Sequence, residues 1–125
     1  MDSTLKYRCQ VIESINAGSE QRAQLVLVIL DLKPAAEFSI FGWNDTPEIV
    51  ETAFKNAELP FLRRQNNKSG KTVAEYAVSK DPEIMAKLCN CLKLDPYQYG
   101  LWMGYPETAI RAFISKQIYG DKIPE

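Results

Sequence analysis

The sequence predicts an α+β fold, a mostly antiparallel sheet with helices packed on one face. Apolar runs of strand character fill the N-terminal part of the chain. A proline-led helix start recurs four times further on, and two β-prone runs flank a polar loop between the first two of those starts. The implied order is βββ-α-ββ-α-α-α, one domain over residues 1–125 with 120–125 as a short C-terminal tail.

The first strand rests on alternation: Leu5, Tyr7, Cys9 and Val11 are apolar, with Lys6, Arg8 and Gln10 between them, the period of a half-buried strand. Residues 15–22, with Asn16-Ala17-Gly18-Ser19, carry turn chemistry. The run LVLVILDL from Leu25 to Leu32 is apolar without alternation, as in a central strand covered on both faces. Pro34 ends it, and EFSIFGW supplies a third strand, with Phe38 and Ile40 on one face and Gly42 at the exit.

DTPEIV, KDPEIM, LDPYQY and GYPETA each place a proline at the first helical position. That position has no intrahelical partner for an N–H, and the glutamate that follows in three of them opposes the positive end of the helix dipole. Thr46, Asp81 and Asp95 are suited to cap the first three. The helices should run over residues 47–58, 82–92, 96–103 and 106–119, with Gly120 as the stop. Between the first two helices, Asn66-Asn67-Lys68-Ser69-Gly70 is loop material between β-prone runs, so the stretch after Gly70, with Thr72, Ala74, Tyr76 and Val78 alternating, is read as the second arm of a hairpin, with a short helix suited by Val73, Ala77 and the alanines as the alternative.

Composition narrows the chemistry. The chain has 46% hydrophobic and 25% charged residues, an ordinary globular balance, and its longest apolar run, Leu25 to Leu30, falls far short of the about 18 residues of a membrane span. The first residues lack the basic and apolar pattern of a secretory signal, and three cysteines do not make a disulfide framework. The expectation is a soluble cytoplasmic protein. With no histidine in the chain, the commonest general base and metal ligand is missing, which removes serine–histidine–aspartate triads and histidine-bearing zinc sites. Cys89 and Cys91, two apart on a helix, point to different faces and suit no chelate. Neither metal nor cofactor is expected.

Three stretches carry residues of interest. Ser69-Gly70-Lys71-Thr72 resembles the tail of a phosphate-binding loop, but Gln65 stands where that motif needs its first glycine. Arg63, Arg64, Lys68 and Lys71 make a basic patch on the same hairpin, although the acidic pI of about 5.6 argues against nucleic acid. Asp31 and Lys33 project from one side of an extended segment, as in some metal-dependent nucleases.

In QYGLWMGYPETAIRAF, Gly100 and Gly104 fall on one side of a helix, which permits close backbone approach. Gly104 suits the helix stop before Pro106. Tyr97, Trp102 and Tyr105, with Trp43, are read as a ligand or partner groove. The surplus aromatics and the missing catalytic constellation lead to a non-catalytic module that self-associates, a dimer foremost, or binds a protein partner. The alternatives are a small-molecule binder or small carboxylate-based enzyme using Asp31, Lys33, Glu37 or a tyrosine, and a nucleic-acid-binding regulator acting through the basic hairpin.

Overall fold

A computed structural model describes residues 2–65, 70–90 and 96–119. The α+β class holds: among these residues, helices α1 (Ser3–Glu13), α2 (Ser19–Ile29), α3 (Pro47–Asn56), α4 (Pro82–Asn90), α5 (Pro96–Trp102) and α6 (Glu107–Tyr119) accompany strands β1 (Ala35–Ile40), β2 (Phe61–Arg63) and β3 (Ala74–Ser79). The sheet is antiparallel throughout, in the order β1-β3-β2.

The two N-terminal strands expected from the sequence are helices. Asp2 caps α1, its Oδ1 accepting the amides of Thr4 (2.7 Å) and Leu5 (3.4 Å). Leu5, Cys9 and Ile12 then recur at helical spacing and face the core, while Tyr7, which completed the apparent alternation, is 55% exposed. In α2 the apolar run is continuous because the helix is packed on most sides: Leu25, Val28 and Ile29 are buried, and Val26 and Leu30 pack against them. Such a run has no periodicity to separate helix from buried strand. The third expected strand is β1; it ends at Ile40, and Phe41–Asn44 form a turn closed by the Asn44 amide on the Phe41 carbonyl (3.0 Å).

The hairpin after α3 is present. Arg64 N–H donates to the Glu75 carbonyl (2.9 Å), and Val73 N–H donates to the Ile40 carbonyl (2.8 Å), so the stretch leading into β3 is extended. The loop residues 66–69, the expected Asp95 cap, the Gly120 stop and the 120–125 tail lie outside the described residues.

Helices cover both faces of the sheet, not one. Register sets Ala36 opposite Val78, Phe38 opposite Tyr76 and Ile40 opposite Ala74. These residues form one core with Cys9, Ile12, Leu25, Val28, Ile29, Val50 and Phe54 of α1, α2 and α3. At its centre the Phe54 ring meets Phe38 and Tyr76 edge-on, both at 5.5 Å, an arrangement aromatic quadrupoles favour. Residues one step along each strand point the other way. There Ala35 and Ala77 pack with Leu88 of α4, Met103, Tyr99 and Trp102. All six residues of β3 are buried, so the centrally placed, doubly covered strand is β3.

The outward edge of β1 is met by a side chain. Gln21 of α2 accepts the Ser39 N–H on Oε1 (2.7 Å) and donates from Nε2 to the Ser39 carbonyl (2.9 Å).

Helix starts follow the sequence reading closely. Asp81 Oδ1 accepts the amides of Glu83 (2.9 Å) and Ile84 (3.3 Å) ahead of Pro82, whereas Thr46 stands at the cap of α3 without a side-chain bond. Asp81→Ala should therefore lower stability by ~1 kcal/mol and Pro82→Ala should be mild; denaturant titration of the two variants measures the difference.

Candidate functional site

On the second face of the sheet, charge is buried. Arg64, at the end of β2, has a side chain 3% exposed. Its Nη1 meets Glu75 of β3 at 3.2 Å, and its Nη2 donates to Glu37 of β1 and to the Leu88 carbonyl of α4 (3.0 Å). Glu75 also accepts from the Thr72 hydroxyl (2.8 Å), and Glu37 from the Tyr99 hydroxyl of α5. Burial, reinforced by that bond to Glu37, drives the Tyr99 hydroxyl far above its ordinary pKa, so it remains a donor. Arg64 is thus removed from the basic patch. Arg63 is exposed and pairs with Glu51 (3.6 Å), Lys71 is exposed, and Lys68 lies outside the described residues.

The glycine-rich corner joins α5 to α6. Gly100 is buried, and a Cβ placed on it would lie 2.6 Å from Ile110 Cγ1. Gly104 adopts φ +79°, and the amides of Gly104 and Tyr105 donate back to the carbonyls of Leu101 and Gly100, both at 3.0 Å, the left-handed stop that glycine permits. Trp102 is half-buried, with Lys87 Nζ 5.8 Å from its ring centre. Tyr97 is half-buried at the start of α5, hydrogen-bonded to Glu107, and Tyr105 is 57% exposed. Trp43 is not part of this corner. It leaves β1 beyond Ile40 and stacks on Phe41, whereas Met103 and Trp102 pack with Ala35 at the other end of that strand.

A cleft of about 380 Å³ opens between the end of α2 and the start of α4, lined by Val28, Asp31, Leu32, Lys33, Pro34, Lys80, Asp81 and Ile84. Asp31 sits at φ 60° in the left-handed stop of α2. Lys80 holds it at 2.8 Å and also donates to the Ile29 carbonyl (2.9 Å). Lys33 donates to the Gln24 carboxamide, and its stem lies 3.5 Å from the Cβ position of Gly104. Burial lowers the Lys33 pKa, with Glu37 opposing that shift. Asp31 and Lys33 thus both line this cleft, but from the turn after α2 and not from the extended segment the sequence suggested, and no group of three or more cysteine, aspartate or glutamate residues is placed to hold a metal among the described residues. Nothing in their spacing announced Lys80 or Gly104 as neighbours. Cys9 is a free thiol, the Cys89 thiol donates to the Arg63 carbonyl (3.7 Å), and Cys91 lies outside the described residues.

No known protein family matches the chain, and neither a curated protein nor a solved structure is similar to it.

Replacing Arg64 by methionine removes the guanidinium that Glu75 and Glu37 share, which should cost ~3–5 kcal/mol in chemical unfolding. Gly100→Ala should cost ~1–3 kcal/mol through overpacking. Ile110→Ala removes the obstructing atoms, so the double variant should lose less than the sum of the two, read from a double-mutant cycle.

Proposed function

We propose that this chain is a non-catalytic cytoplasmic module acting by self-association, as a dimer foremost, or by binding a protein partner. The observation that carries the reading is Trp43, 76% exposed and stacked on Phe41 at 4.9 Å with the rings 4° from parallel. Its turn is held in place. The Asp45 amide donates to the Asn16 carbonyl (3.0 Å), and the Asn16 amide to Asp45 Oδ2 (2.8 Å). Asn44 Oδ1 accepts the Phe41 amide (2.8 Å).

A large ring already fixed in place loses little freedom when it is covered, and tryptophan is enriched among residues that dominate binding energy. Two further observations support the reading. No helix among the described residues is long and apolar enough to cross a membrane, and Cys9, a buried free thiol, suits a reducing compartment.

Light scattering across a concentration series, with native mass spectrometry, tests it. Trp43→Ala should leave the melting temperature nearly unchanged and weaken association by at least ~2 kcal/mol, the scale of a binding hot spot. A wild-type protein that stays monomeric and captures no partner, or a variant that associates as wild type does, would refute the assignment.

A further inference from the structure

Lys33 is unusually constrained for a lysine at the rim of a cleft. Its stem lies against the Gly104 turn, where φ +79° favours glycine, and its ammonium is directed onto Gln24. Of the three N–H donors on Nζ, that bond engages one. The cleft walls contributed by Val28, Leu32, Pro34 and Ile84 are apolar. The charged groups around it balance: Lys33 and Lys80 against Asp31 and Asp81, with Lys80 already bound to Asp31. Such a site disfavours a strongly charged ligand and has ample room for a small organic molecule, at the small end of the ~300–1,000 Å³ of ligand pockets.

We infer that this cleft is a carbonyl-binding site in which the Lys33 amine forms an imine with a short-chain, uncharged aldehyde. The amine lone pair attacks the carbonyl carbon, the C–N bond forms, and the C=O π pair moves to oxygen; one of the two nitrogen protons passes through water to that oxygen, giving a carbinolamine. Loss of the remaining nitrogen proton and of the hydroxyl as water closes the C=N bond. One water leaves per imine, and no oxidant or reductant takes part. Partial burial assists by raising the fraction of uncharged amine, since a lysine removed from water holds its proton less tightly. Glu37 and the two cleft aspartates pull the other way and Lys80 with it, burial being the larger effect on Lys33.

The test is reductive trapping on the full chain. Propionaldehyde is supplied in limiting amount with cyanoborohydride near neutral pH, and modified lysines are quantified by peptide mass spectrometry over time. Lys33 should be modified severalfold faster than the exposed Lys55 of α3, because its partly buried amine holds its proton less tightly. Lys33→Arg, which keeps the charge and removes the nucleophile, should abolish the fast phase and leave Lys55 unchanged. Labelling of Lys33 no faster than Lys55, or a fast phase that survives Lys33→Arg, overturns the site. Glyoxylate outpacing propionaldehyde at Lys33 overturns the choice of an uncharged ligand.

Discussion

Arg64 stands between two carboxylates that the antiparallel register brings onto one face of the sheet. Glu37 lies opposite Ala77 and Ser39 opposite Glu75, which makes Glu37 and Glu75 diagonal neighbours on adjacent strands. Two negative charges under a layer of helices would repel each other and lose their hydration. The guanidinium gives each carboxylate one of its terminal nitrogens and directs another hydrogen bond to Leu88 of α4. With Tyr99 bonded to Glu37, the same cluster reaches α5. Covering this face by α4 and α5 therefore depends on a cation arriving from the end of β2. The opposite face is packed mainly by apolar side chains, with the Tyr76 hydroxyl bonded to Glu51 of α3 (2.8 Å). Ionic contacts tolerate little sliding, so the polar face sets where its helices dock more narrowly than the oily one does.

A second arrangement recurs at helix ends. Both α2 and α3 stop at an acidic residue in the left-handed region, Asp31 at φ 60° and Glu58 at φ 53°, where a side chain costs about 1–2 kcal/mol. In each case a cation from a distant element binds the last carbonyls: Lys80 takes Ile29 O, and Arg8 takes Ala57 O at 2.6 Å and Glu58 O at 3.3 Å. A positive charge at that end of a helix is favoured by its dipole. Each cation also pairs with the acid, Lys80 closely at 2.8 Å and Arg8 loosely with Glu58 at 3.8 Å. These clasps tie α2 to the start of α4, and α3 to α1.

Much of the C-terminal part of this fold is legible in the chain, because its signals are local. A proline at the first helical turn and an aspartate ahead of it act within one turn of backbone, as Asp81 and Pro82 show. The hairpin is legible for the same reason. The corner of Gly100 and Gly104 could be read from two residue types and a spacing. The N-terminal helices could not: α1 shows strand-like alternation until the burial of Ile12 and the exposure of Tyr7 are known, and α2 is too thoroughly packed to keep a polar stripe. Arg64 reads as a surface charge because its partners lie on β1, β3 and α4, and only the strand register brings them together. Trp43 was grouped with Trp102 by residue type, while chain order gave no means of seeing that β1 holds them at opposite ends.

The carboxamide of Gln21 occupies both backbone polar atoms of Ser39, and so behaves as a one-residue substitute for a neighbouring strand. An extended segment arriving from another molecule would have to expel it before pairing with the middle of β1, and β-sheets left open at such an edge are where chains polymerise without limit. On the self-association proposed above, contacts between copies would fall on side-chain surfaces such as the Phe41–Trp43 turn rather than on this edge. Surfaces of that kind can meet their own image and close on themselves, so the assembly they permit is finite.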